Sequence, residues 1–444
     1  MWRQSSRCAS RAGTIEFFVS TAAAPPREPS SPPDPTPLPA TGFRRIAAAL
    51  TYRDFRVLWF GAFTSTIGTW MQSVAQNWLV LTITGTSSAF FLGLDSFLGQ
   101  VPILLFTLVG GVVADRYDRR RLLLTSQYVQ MAAAFILAAL VYANVVRIWH
   151  VLALSILTGL AQAFGGPAYQ SLLPSLVSKE HVPNAIAFNS IQFNLARVIG
   201  PLIAGLALAA FGMVACFGLN GLSFLAVIAA ILSLHIKHIR PATTTRLHQE
   251  LRSGFVFVRE HEALVSLAVL GFAATFLGNP VLTFLPLFAR NVFHGDVTQY
   301  THLMAFAGAG AVTGALVVAW LGKFQHMGRA LLTIQVALGM LITTFALTRL
   351  FWVNAVLLFA CGAGMVMVFA MLSSLVQLNA PNEMRGRVMS IYMVAFRGGM
   401  PLGSLVAGWL ANSTSAPAVL TVNGVLLSIV ATWFLAKNPH VRAL

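Results

Sequence analysis

Two apolar runs, 89–113 and 122–141, are separated only by a short basic stretch that holds Arg116, Arg119, Arg120 and Arg121. An apolar run of about 20 residues crosses a bilayer as a helix. The stretch is therefore a tight turn between two membrane spans, and that pairing restricts the chain to a multi-pass helical fold. Positive charge beside span ends resists translocation, so the turn is expected in the cytoplasm. Gly111, four residues before Asp115, is expected to leave room for close helix approach, and Asp115 sits where the span meets water.

Composition decides between a membrane and a soluble protein. The chain is 57% hydrophobic and 9% charged, against about 25% charged residues in soluble domains. A net charge of +16 would mean nucleic acid only if it were clustered on a folded basic face; here it is spread through loops between spans. Cys8, Cys216 and Cys361 show no pairing or metal-ligand spacing and read as packing residues. Residues 1–42 are rich in Ser, Pro, Arg and Ala, a composition that cannot bury a core and reads as a disordered tail. The run 15–24 is a poor signal segment, short and interrupted by Glu16, and a mis-called start codon is the competing reading.

Twelve spans are predicted: 55–83, 89–113, 122–143, 149–174, 185–210, 213–236, 263–289, 299–321, 330–348, 352–378, 386–411 and 416–436. The organisation is a tail over 1–50, a six-helix bundle over 51–236, a linker over 237–262 and a second six-helix bundle over 263–444. Within the linker Leu247, Leu251, Phe255 and Val258 recur at helical spacing among Arg246, Glu250, Arg252, Arg259 and Glu260, which predicts an interfacial amphipathic helix. With twelve spans, the basic residues at the N-terminus, 116–121, Lys179, 237–259, Lys323, Arg329, Arg385, Arg387, Lys437 and Arg442 share one side. The other side receives Arg147, Arg290 and Arg349. That asymmetry puts both termini in the cytoplasm of a cell (inner) membrane.

The halves also look like repeats. Arg197 precedes Pro201 by four residues in the fifth span, Arg397 precedes Pro401 in the eleventh, and Ser190 and Ser390 keep the same offset of 200. One such pair would be weak evidence; in corresponding spans it supports duplication, as in many secondary transporters.

Several segments carry a family resemblance. Gly111, Asp115, Arg116, Arg119 and Arg120 resemble the Gly-x-x-x-Asp-Arg-x-Gly-Arg-Arg signature of the major facilitator superfamily, with Asp118 in place of the inner glycine. The stretches at 54–59, 183–190, 194–201 and 383–390 are similar to its enterobactin-exporter-like bacterial efflux branch, and the likeness covers roughly 50–436. The resemblance implies an all-α integral membrane protein of twelve transmembrane helices in two six-helix pseudo-repeats. It also implies that Asp115 and its arginines form a cytoplasmic latch that loosens during alternating access; anchoring of the turn to anionic lipid is the plainer reading. The loop 322–329 of the second half lacks the acid. Gly200, Pro201 and Gly205 resemble the fifth-span motif of antiporters and so imply export. By themselves they mean a kinked, closely packed helix.

Ionisable groups at membrane depth are functional candidates by default, and here they are Asp95, Arg197 and Arg397. At the helical rise all three sit roughly 10–15 Å below the outer surface. The resemblance implies that the second span packs beside the eleventh, so Asp95 is expected to pair with Arg397 or face the cavity with Arg197, either exchanging the coupling proton or forming a permanent structural ion pair. Polar residues expected at a midplane substrate cavity are Gln72, Gln76, Asn77, Gln162, Gln170 and Asn279, with Trp70 and Trp78 nearby. Amides beside aromatic rings suit an amphiphilic organic molecule, although amides also simply hold helices together.

An enzyme would need paired acids, a Ser/His pair or metal ligands at depth, and an ATP-driven pump a phosphate-binding loop; the sequence offers neither. The expectation is a proton-coupled exporter of a drug-like or siderophore-like compound, with no cofactor, metal or nucleic acid. Its partners are substrate, protons and the bilayer, and the fold suggests a monomer. The alternatives are an importer or lipid transporter of the same fold, and a non-transporting sensor or scaffold.

Overall fold

The structure, a computed structural model, describes residues 47–235, 247–322, 324–381 and 383–444, and within them the side chains other than those at 47, 108, 112, 115, 116 and 247–252. The expected disordered tail up to residue 46, Lys323, the first part of the linker and the side chains of Asp115 and Arg116 lie outside the described residues; the end of the expected tail instead forms a short helical turn, Ala47–Thr51, with Ala49 buried.

Almost every described residue is helical. The long helices are α1 (Arg53–Thr84), α2 (Ser88–Arg116), α3 (Arg119–Tyr142), α4 (Ile148–Leu172) and α5 (Val182–Leu232). They are followed by α6 (Leu247–Glu260), α7 (Glu262–Gly278), α8 (Val297–Leu321), α9 (Met327–Leu347), α10 (Phe351–Asn379), α11 (Arg385–Ser413) and α12 (Ala416–Lys437). Short helical turns at Pro280–Thr283 and Leu285–Leu287 and a π-turn at Phe288–Val292 extend α7 beyond Asn279. Proline has no N–H to donate and clashes with the preceding turn, so Pro280 and Pro286 divide this span into pieces.

Nine stretches among the described residues are long and apolar enough to cross a membrane. Two of them are interrupted by a glycine. Gly85, with φ 53°, ends α1 inside the stretch Arg53–Thr107, and Gly212, with φ 74°, breaks α5 inside Lys179–Leu232. Positive φ is open to glycine and strained for other residues. Large apolar side chains project outward from the helices: Trp320 is 85% exposed, Phe211 75% and Leu206 73%. Such a surface is stable against lipid and not against water.

Local chemistry sets several helix starts. Asp118 caps α3, its carboxylate accepting from the backbone N–H groups of Arg120 and Arg121 at 2.9 and 3.3 Å. Asp296 caps α8 and Ser415 caps α12 in the same way. These caps satisfy donors that a helix N-terminus leaves open.

The basic turn ties several helix ends together. Arg120 donates to the Leu232 carbonyl at 2.5 Å, and Arg119 to the Ser171 carbonyl at 3.3 Å. Asp54, at the start of α1, accepts from the His235 N–H at 3.2 Å. The start of α1, the turn and the end of α5 therefore share one face of the bundle, called here the basic end.

Glycine makes the tightest crossings. A Cβ at Gly110 would run into the carbonyl oxygen of Ala163 on α4, whereas one at Gly111 would meet nothing within 4 Å. The close approach expected at Gly111 is thus made by its neighbour. One residue is about 100° around a helix, so the two positions face different directions.

The linker helix α6 docks on α11. Gly254 lies against Arg387, which donates to Ser253 Oγ at 3.2 Å. Val258 is buried, and Phe255 and Val256 stay exposed.

Candidate functional site

Gln72 and Gln76 are one helical turn apart on α1, so they share a face. The facing wall comes from α5, where Asn220 donates to Gln72 Oε1 at 2.6 Å. Nearby, Gly200 lets α5 close on α1: a Cβ there would collide with Trp70. Between these helices and α2, α4 and the broken α7 span lies a cavity of about 380 Å³.

Among the described residues, Asp95 is the only ionisable one lining that cavity. The residue is 6% exposed, and its side-chain bonds are to neutral groups. Gln76 Nε2 donates to both carboxylate oxygens at 3.2 and 2.9 Å, and Ser155 Oγ donates to Oδ1 at 2.5 Å. Ser155 Oγ also accepts from Gln76 Nε2 at 2.9 Å, so the three side chains form a closed triangle across α1, α2 and α4.

The pairing of Asp95 with an arginine is not found: among the described residues no ion pair joins Asp95 to one. The reason is helical phase. Gly93 faces Ser404 and Gly408 of α11, and Asp95, two residues on, points roughly 200° away. Contact with α11 and an inward-pointing carboxylate therefore use opposite faces of α2. Arg197 instead lies over the Trp70 ring, its guanidinium carbon 5.6 Å from the centroid, within cation–π range. Arg397 is exposed and does not line the cavity. The two arginines and Asp95 are not brought together.

Of the expected polar residues, Gln72, Gln76, Asn77 and Asn279 line the cavity. Gln162 and Gln170 are exposed and do not. Gln162 follows Ser155 by seven residues on the same face of α4, about 10 Å further towards the basic end. Ser155 and Asn220 are lining residues that the sequence reading missed. A lone hydroxyl or amide in an apolar helix has no pattern to single it out, and only the positions of the neighbouring helices do so.

Above the cavity, away from the basic end, the helices before α6 meet those after it. Asn77 Nδ2 donates to Tyr300 Oη at 3.1 Å, and the rings of Trp78 and Tyr300 stack with centroids 6.2 Å apart. Arg290 donates to the Leu81 carbonyl at 3.2 Å. Gly205 admits Thr301 of α8, and Gly93 admits Ser404 of α11. The fifth-span motif is thus a double crossing, with Gly200 against α1 and Gly205 against α8. Pro201 and Pro401 are buried within their helices.

Comparison with known proteins gives a consistent result. The sequence model of the transmembrane secretion effector family matches residues 46–443. The staphyloferrin A transporter of Staphylococcus aureus is 27% identical over 381 residues, covering 85% of this chain and 94% of that protein. The enterobactin exporter of Citrobacter koseri is 26% identical over 395 residues, covering 86% and 90%. A crystal structure of a D-xylose–proton symporter superposes with a TM-score of 0.68, covering 88% of this chain and 99% of that one. Its 14% identity makes this a likeness of fold alone.

Proposed function

The chain belongs to the transmembrane secretion effector family of the major facilitator superfamily, and from that premise we propose that it is a proton-coupled exporter of small organic compounds. It is a multi-pass membrane transporter and not an enzyme. The finer reading is twelve spans in two six-helix halves. Its support is that two of the nine apolar stretches are divided at Gly85 and Gly212. In addition α11, whose arginines dilute its apolar character, has the length to span. In this reading the halves meet at α5–α8 and α2–α11, with α6 as linker, both termini in the cytoplasm of the inner membrane and the protein working as a monomer.

The observation that carries the proton coupling is the Asp95 triangle. A buried carboxylate with only neutral partners is costly to keep charged. A proton is the smallest species that relieves that cost, and the cavity wall is where proton and substrate can be exchanged. Contacts at Asn77, Tyr300 and Arg290 close the end away from the basic turn, so the cavity is read as opening to the cytoplasm. Rocking of the halves would break those contacts and expose Asp95 to the outside. Gly111, Asp115, Arg116, Arg119 and Arg120 then serve as the cytoplasmic latch, with Arg119 and Arg120 already holding carbonyls at helix ends. Export rather than import rests on the exporter relative and on the crossings at Gly200 and Gly205.

The test is uptake into inside-out vesicles under an imposed pH gradient. Accumulation that collapses with an uncoupler and in Asp95→Asn supports the reading. Accumulation that survives both overturns proton coupling, and movement that runs only with ATP overturns secondary transport.

A further inference from the structure

Among the described residues, the cavity wall carries one acid and no base. Around Asp95 the lining is amide and hydroxyl, including Gln72, Asn77, Asn220 and Thr283, with Trp70 and Phe224 as its aromatic surfaces; no Lys, Arg or His is among the lining residues. Arg197 is held against the Trp70 ring and is not itself part of the wall. We infer that the compound taken up here is an organic cation, a protonated amine on a hydroxyl- or amide-bearing body, with Asp95 as its counter-charge.

This inference rests on the proposed transport function and narrows its substrate class. A carboxylate-rich or catecholate-rich chelator would bring negative charge into a low-dielectric space where the one charge among the described lining residues is also negative. Like charges a few ångströms apart in such surroundings repel strongly, and no lining cation offsets it. An ammonium group finds the reverse. It meets a carboxylate already oriented by Gln76 and Ser155, and charge-assisted bonds of this kind are among the stronger polar contacts. The surrounding amides and hydroxyls supply both donors and acceptors for the neutral remainder of the molecule. Asp95 cannot hold a proton and face an ammonium as its counter-charge at once, so the compound and the proton exchange at one carboxylate.

The probes are puromycin, which carries a protonated amine, its uncharged N-acetyl derivative and its anionic N-succinyl derivative. Binding of tritiated puromycin to the purified full-length chain in detergent is measured by equilibrium dialysis, with the derivatives as competitors. The expected result is at least tenfold weaker binding of N-acetylpuromycin and no competition by N-succinylpuromycin. Asp95→Asn lowers puromycin affinity at least tenfold and changes that of the N-acetyl compound less than twofold, and Asp95→Glu restores most of the puromycin affinity. Circular dichroism and gel filtration establish that each variant is folded. Equal competition by the anionic derivative overturns the inference, as does puromycin binding unaffected by Asp95→Asn, or no puromycin binding by the folded protein. Binding is read without transport, so the two claims separate. Amines that bind but never cross the membrane leave the cation site standing and defeat the exporter reading. Gradient-driven movement of an anion, indifferent to Asp95, does the opposite.

Discussion

Asn77 donates its amide to the Tyr300 hydroxyl at 3.1 Å, so a residue that lines the cavity also holds α1 against α8. Tyr300 is fully buried, with its ring stacked on Trp78. In the proposed transport function, a compound that draws the Asn77 amide away from Tyr300 would link occupancy of the cavity to opening at the end away from the basic turn.

Tyr300→Phe keeps the stacked ring and removes the hydroxyl. A hydrogen bond contributes about 1 kcal/mol net, which corresponds to roughly a fivefold shift in the balance between closed and open ends. Spin labels at positions 84 and 297 should show a distance distribution extended towards longer separations. A distribution identical to that of the wild type would mean the bond does not hold the two helices together.

Gly110 and Gly111 are adjacent and should respond in opposite ways to alanine. Glycine to alanine in a helix interior is worth up to about 1 kcal/mol, and at Gly111 nothing opposes that gain. At Gly110 the new methyl meets the Ala163 carbonyl and must push α2 and α4 apart, so Gly110→Ala should unfold at lower temperature. Thermal unfolding of both variants in detergent checks this, and equal midpoints would contradict the crossing described here.

Removing the α3 cap should be measurable on its own. Asp118→Ala leaves the N–H groups of Arg120 and Arg121 without their acceptor, a loss of about 1 kcal/mol, and Asp118→Asn should recover most of it. The readout is the unfolding midpoint, where alanine and asparagine variants of equal stability would exclude a capping role.

Gln76 and Asp95 should act as a unit. Bonds to a charged group are worth about 1.5–3 kcal/mol, and residues in one network do not contribute additively. Gln76→Leu should slow gradient-driven transport by tenfold or more. Adding Asp95→Asn to it should then cost little beyond the slower single variant. Transport rates from the four proteins of this cycle decide the matter, and full additivity would separate the two residues.

How far the sequence reaches can be seen at α2. Its apolar run and basic turn follow from composition alone, because a membrane leaves helices as the way to satisfy the backbone. Asp95 stands out for the same reason, as an acid in an apolar run. Its partners do not. The phase between Gly93 and Asp95 turns the carboxylate away from α11, and that phase has meaning only once α11 is known to pack against Gly93. Gln72 and Gln76 were legible from their four-residue spacing. Gln162 was misplaced because depth along a helix, not face, removes it from the cavity. Asn220 was missed because α5 runs past Gly212 before returning it to α1.

Exchange of a proton for an organic compound at Asp95 makes the movement of each depend on the gradient of the other. It is tested most directly in proteoliposomes holding the purified chain and an entrapped pH-sensitive dye. A gradient of puromycin is imposed, and a citrate-type hydroxycarboxylate siderophore serves as the comparison. Proton movement opposite to puromycin is expected in the wild type, with none in Asp95→Asn and none with the siderophore. Puromycin crossing without any proton movement, or an Asp95→Asn protein that moves protons as the wild type does, would contradict it.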